Sequence, residues 1–219
     1  MKLINQNGQF PREKISLLSG IKSAMVLLKH DNIIWVPISL EEILRVSGGA
    51  GLNKSDGLFS SKNLGAIGKM SDDLLMIGLE KVNRKLHMHL YPIELKIGGG
   101  NLLKKGVEQG RVTAQLLKDH LTQENFLGEF YRNFFGKLVI TNAEKMKLYK
   151  IWESNDWDLI MNDYRSDLLN DNFVIADHLE GAIGNFSVIH FNKDITRRRL
   201  LIEKDYPNFP ILVIKKFLG

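Results

Sequence analysis

The stretch Tyr91-Pro92-Ile93-Glu94-Leu95-Lys96-Ile97 reads as a β-strand that carries an acid and a base on one face. Strand side chains alternate, so Glu94 and Lys96 point one way while Ile93, Leu95 and Ile97 point the other. A carboxylate and an ammonium among apolar neighbours are costly to bury unless they are paired or coordinate a metal. Upstream, Ser71-Asp72-Asp73-Leu74-Leu75-Met76-Ile77-Gly78 places Asp72 and Asp73 at the mouth of a second apolar strand. Downstream, Gly98-Gly99-Gly100 stops the first strand and leads into a helical pattern.

Working outward, Ile15, Leu18, Ile21, Met25 and Leu28 recur at helical spacing between Arg12 and about His30, behind a polar arm of residues 1–11 expected to be frayed. Ile33-Ile34-Trp35-Val36 reads as a short extended segment ending at Pro37. Ser39 is a fitting N-cap for a helix over 39–48, with Glu41 and Glu42 in its first turn where the helix dipole favours acids. Residues 48–70 are glycine-rich and carry Lys54, Lys62 and Lys69, a long basic loop. Strands are predicted over about 73–80 and 86–97, joined at Val82-Asn83-Arg84 as an antiparallel hairpin. Pro92 cannot donate to a ladder, so a bulge or unpaired stretch is expected there. Helices are predicted over about 102–121, 126–136, 143–153 and 156–169, and strands near 172–177, 185–192 and 211–217. Strands alternating with helices define the class as α/β. One domain over residues 12–219 is expected, with a core over about 33–121 and an extension over about 122–219.

At 219 residues the chain can bury a sizeable core, and its net charge of +5 permits a polyanionic partner without demanding one. The absence of cysteine excludes disulfides, thiolate zinc sites and cysteine nucleophiles, and fits a reducing cytoplasm. No apolar run has the ~18 residues of a membrane span, and the N-terminus lacks a signal-like apolar segment, so a cytoplasmic protein without a membrane partner is expected.

The residue types suggest oxygen-ligand metal chemistry. Asp73 and Glu94 suit a hard cation such as Mg²⁺ or Mn²⁺, with Lys96 placed to orient a bound water and stabilise charge on a phosphate. The plainer alternative is a surface Glu–Lys pair worth ~0–1 kcal/mol. On the helix over 102–121, Leu103, Val107, Gly110, Val112, Thr113, Ala114, Leu116, Leu117 and Leu121 fill one arc, with Gln109 inside it. A buried amide without partners costs ~1–3 kcal/mol, so Gln109 is expected to be bonded, either structurally or toward the metal. Lys104 and Arg111 fall on the opposite side, and Lys105 at the arc's edge. Glu42, at N3 of the helix over 39–48, is a further candidate, although a capping bond explains it equally well. His87 and His89 share a face with Tyr91, opposite Glu94 and Lys96, and are assigned non-catalytic roles. Gly48-Gly49-Ala50-Gly51-Leu52-Asn53-Lys54-Ser55 lacks the glycine before the lysine and is not a phosphate loop. Arg197-Arg198-Arg199 reads as a solvated strand end.

These residues resemble the PD-(D/E)xK nuclease superfamily, whose core is a helix, a three- to four-stranded sheet and a further helix. The resemblance implies a restriction-endonuclease-like core, a central mixed sheet flanked by helices, with additional C-terminal α+β elements. It implies Asp73, Glu94 and Lys96 as catalytic, with Glu42 (or Glu41) and Gln109 in support. Mg²⁺ or Mn²⁺ would be held at Asp73, Glu94, Asp72 and the Leu95 position, and DNA by Lys54, Lys62, Lys69, Lys104, Lys105 and Arg111. The segment Trp35 to Gly48, with Gly57-Leu58-Phe59-Ser60 and Ser71 to Leu75, is similar to the C-terminal region of the large HerA-type ATPase subunit of phosphorothioation-dependent DNA restriction systems. No Walker motif occurs, and no proline precedes Asp73. The resemblance thus implies a metal-dependent DNA endonuclease domain acting on double-stranded DNA in restriction, with a translocase subunit as partner and homo-oligomerisation left open. The rival expectation is a catalytically silent nuclease-fold module for DNA binding or assembly.

Overall fold

A computed structural model describes residues 9–40, 74–98, 101–150, 152, 155–192, 199–205 and 209–216. The strands are β1 (Ile34–Ile38), β2 (Leu74–Val82), β3 (Lys85–Ile97), β4 (Phe173–Ile175), β5 (Ser187–Phe191), β6 (Arg199–Asp205) and β7 (Phe209–Lys216). They form one seven-stranded mixed sheet in the order β1-β2-β3-β5-β7-β6, with β4 also on β3. β1, β2 and β3 are an antiparallel meander, whereas β3 is parallel to β4 and β5, and β5 to β7. β6 closes the far side antiparallel to β7. The fold is α/β, as expected.

The hairpin turn is Asn83-Arg84, both at positive φ (50° and 68°), the backbone twist that a two-residue connection between right-twisted strands demands. Pro92 keeps its register opposite Leu75, so the β2–β3 ladder has no bulge there. On the other side, β3 pairs β4 only at Leu86–Met88 and β5 only from Ile93, and Pro92 falls in the gap between them.

Helix α1 (Gln9–Leu27) and helix α2 (Leu102–Leu121) cover opposite faces of β3 at consecutive residues. A Cβ on Gly20 of α1 would lie 2.8 Å from Leu95 Cδ2, and one on Gly106 of α2 would lie 3.1 Å from Lys96 Cγ. Both helices therefore approach the sheet closely through a glycine. The buried face of α2 runs through Gly106, Gly110, Thr113, Ala114, Leu117 and Leu121. Val112, expected inside that arc, is instead 42% exposed, because the contact is centred on the glycines rather than on the largest side chains.

The two helices expected at 126–136 and 143–153 are one, α3 (Phe126–Leu148). Gly136, at the expected end of the first of these helices, sits where the Leu168 carbonyl comes so close that a Cβ would stand 2.3 Å from its oxygen. Its missing side chain serves packing, not termination. Asn125 caps α3 by accepting from the Gly128 amide at 2.9 Å. The helix expected near 156–169 is present as α4 (Asp156–Leu159) and α5 (Arg165–Leu169), joined by a π-helical turn at Ile160–Tyr164. Strand β6 and the short helix α6 (Glu180–Ile183) were not expected from the sequence. The main core unites α1, α3, α5 and the sheet around Trp35, Val36, Ile77, Met88, Phe135, Val139, Ile160 and Leu168. A smaller core of Ala114, Phe186 and Val188, with Leu103 and Val107, lies beneath α2.

Candidate functional site

β3 lies inside the sheet, and its alternation puts Glu94 and Lys96 on the face under α2 while Ile93, Leu95 and Ile97 face α1. Lys96 Nζ donates to Glu94 Oε2 at 2.7 Å, and both side chains are buried. Beside them on β5, Val188 is the register partner of Glu94 and His190 that of Lys96. His190 Nε2 donates to the Gly98 carbonyl at 2.6 Å, fixing the strand end where the chain leaves for α2. Gly106 is what lets α2 lie this low: a Cβ there would meet Val188 Cγ1 at 3.0 Å and Lys96 Cε at 3.2 Å.

Burying a charged pair in a sheet of Leu, Ile, Val and Met is expensive, and its mutual attraction repays that only with good geometry. Buried charge pairs recur at functional sites, although structural pairs are buried too.

Of the expected site residues, Glu94 and Lys96 are brought together. Leu95 turns its side chain toward Gly20 of α1, away from the face that carries Glu94 and Lys96. Gln109 is half-buried on α2, and its Oε1 is buried without a hydrogen-bond partner among the described residues. The bonded amide expected from the sequence is therefore not what is found. Lys104, Lys105 and Arg111 are exposed on α2. Asp72, Asp73, Glu41, Glu42, Lys54, Lys62 and Lys69 lie outside the described residues, as do Arg197 and Arg198.

The other face of the hairpin holds a second polar cluster, which includes His89, assigned a non-catalytic role from the sequence, together with Glu80 and His178, which the sequence did not single out. Glu80 is opposite His87, and His89 opposite Gly78, so all three side chains share one face, as expected for the two histidines. His89 Nε2 lies 2.7 Å and His178 Nε2 2.8 Å from the same oxygen, Glu80 Oε1. A carboxylate oxygen accepts, so each ring donates from Nε2. Burial holds the His89 imidazole below its ordinary pKa, with the bond to Glu80 acting the other way. The His89 and His178 rings stand edge to face at 4.6 Å, with His87 6.2 Å from His178. Trp35 closes the buried side, lying over Gly78 and 6.2 Å from the Tyr91 ring.

His178 reaches this cluster from the segment between β4 and α6. That segment is tied down by the Ala176 amide to the Met88 carbonyl (2.9 Å) and by the Tyr91 hydroxyl to the Ile183 carbonyl (2.8 Å). Lys118 of α2 also holds this segment, pairing with Glu180 at 3.1 Å. Among the described residues no helix is long and apolar enough to cross a membrane. Comparison with protein-family models, with curated proteins and with solved structures gave no match to this chain.

Proposed function

We propose that the chain is a metal-dependent DNA endonuclease domain that cuts double-stranded DNA in a restriction system, working with an ATP-driven translocase subunit. The observation that carries the reading is the Glu94–Lys96 pair, 2.7 Å apart and buried on the strand that leads through Gly98 into α2. The succession of a helix, an antiparallel meander and a further helix supports the reading.

The donors in this proposal are oxygens: the Glu94 carboxylate, the Leu95 main chain and Asp73 with Asp72. Such a set fits Mg²⁺ or Mn²⁺. The bound cation would supply Lewis acidity, lowering the pKa of a water and neutralising charge on the scissile phosphate. Lys96 would hold the attacking water by a charge-assisted hydrogen bond and face the charge that grows on the phosphoryl oxygens. The water oxygen forms a bond to phosphorus as the opposite P–O bond breaks, leaving a 5′-phosphate and a 3′-hydroxyl. Gln109, whose Oε1 has no partner among the described residues, is the side chain on α2 free to join this network. Lys104, Lys105 and Arg111 on α2, with Lys54, Lys62 and Lys69, would carry the phosphate contacts.

A second reading, a nuclease-like module that binds DNA or assembles the complex without cutting, is favoured by the depth of the pair. Glu94 and Lys96 side chains are only 3% and 9% exposed. Incubating the protein with supercoiled and linear duplex DNA, with and without Mg²⁺ or Mn²⁺, separates the two. Metal-dependent nicks or breaks support the endonuclease; retention of DNA with no cleavage under any metal supports the silent module.

A further inference from the structure

We propose that Glu80, His89 and His178 form a binding site for a transition-metal dication of the Zn²⁺ class, separate from the oxygen-donor site. This goes beyond the nuclease reading and does not depend on it. Glu80 on β2, His89 on β3 and His178 after β4 each offer a ligand atom, and these atoms all lie within 4.8 Å of one another. Two imidazole nitrogens with one carboxylate oxygen is a donor set that zinc takes with a fourth position left open. Imidazole suits Zn²⁺ and its neighbours in the first transition row and disfavours Mg²⁺, so the two sites differ in kind.

The geometry needs little change. Zinc bonds of 2.0–2.1 Å in a tetrahedral site separate neighbouring ligand atoms by about 3.3 Å. Both Nε2 atoms converge on Glu80 Oε1, from 2.7 Å and 2.8 Å, so each of these two separations would open by roughly half an ångström around the ion. On binding, each ring turns its Nε2 lone pair to the metal and carries its proton on Nδ1, so the Nε2–H bonds to Glu80 are exchanged for metal bonds. His178 is half-exposed and gives the ion a way in, whereas Glu80 and His89 are held in place by the β2–β3 ladder. His87 adds a further buried nitrogen: its Nδ1 has no hydrogen-bond partner among the described residues, and it stands opposite Glu80 in the register. The ion would cross-link the segment before α6 to the hairpin on the face of the sheet away from Glu94 and Lys96.

Chelator-treated protein is titrated calorimetrically with ZnCl₂ in excess Mg²⁺, and with CoCl₂ while the visible absorption is followed. One equivalent of Zn²⁺ bound despite Mg²⁺, with a Co²⁺ spectrum of tetrahedral or five-coordinate intensity, is expected. His178→Ala, on a half-exposed side chain, should keep its circular dichroism and bind Zn²⁺ ~100-fold more weakly or less, since even outer-shell changes cost 10–100-fold. Absence of a stoichiometric Zn²⁺ site in the unmodified protein, an octahedral-type Co²⁺ spectrum, or unchanged affinity in His178→Ala would each overturn the site.

Discussion

Lys96 and Glu94 lie two residues apart on one face of β3, and the ammonium of one is 2.7 Å from the carboxylate of the other. The pair sits beneath Gly106, where α2 has no side chain to hold it off the sheet. Its first consequence is thermodynamic. Removing one partner takes the opposite charge at 2.7 Å away from a buried group, so Lys96→Ala or Glu94→Ala should each cost about 3–5 kcal/mol in urea unfolding. Replacing both together, Glu94→Leu with Lys96→Met, should cost much less and can stabilise. Additive losses in the double variant would show that the two side chains do not act as a pair.

Close approach of α2 and α3 through glycine makes a second prediction. Gly110→Ala would place a Cβ 2.5 Å from Phe186 Cδ2, and Gly136→Ala one 2.3 Å from the Leu168 oxygen. The Phe186 ring can yield, whereas the Leu168 carbonyl is backbone. Gly136→Ala should therefore be the more damaging, by at least ~1–3 kcal/mol, and Gly110→Ala the milder. Thermal unfolding of the two variants side by side checks the order.

Cation choice follows from the donor types. Mn²⁺ titrated into the protein should give binding that disappears in Asp73→Ala, and the same variant should leave Zn²⁺ binding intact. Mn²⁺ affinity unaltered by Asp73→Ala would move the oxygen-donor site elsewhere.

DNA binding should be electrostatic and largely indifferent to sequence. Neutralising Lys62 and Lys69 together should weaken binding equally on unrelated duplexes and flatten the salt slope by about 1–2 units. Neutralising Lys104 and Lys105 on α2 should do the same. A salt slope that stays put in both variants would place the DNA on another face.

Much of this was legible in the sequence, and the reasons are local. Period-two alternation alone put Glu94 and Lys96 on one face and His87 and His89 on the other, and the register agrees. The α2 bounds followed from the glycine run before it and the apolar arc within it. What escaped was set by distant chain. The helix end expected near 136 gives way to a continuous α3 that packs through Gly136 on the Leu168 carbonyl, and Val112 looks buried until Gly106 and Gly110 are seen to set the contact. β6 is a strand through its pairing with β7, which no local pattern announced. Glu80 and His89 could have been linked from the hairpin register, but His178 joins them only because β4 docks parallel on β3.

The central claim, that Glu94 and Lys96 work on a phosphodiester, is tested most directly by single-turnover cleavage of duplex DNA with Mn²⁺ by the unmodified protein and by Lys96→Gln and Glu94→Gln. These substitutions keep a hydrogen-bonding side chain in place, and circular dichroism and DNA retention report whether fold and binding survive. The account predicts cleavage by the unmodified protein and loss of at least about 100-fold in each variant, the range seen when a single charge-stabilising donor is removed. Cleavage at the unmodified rate by folded Lys96→Gln, or none by the unmodified protein with any divalent metal, would contradict it.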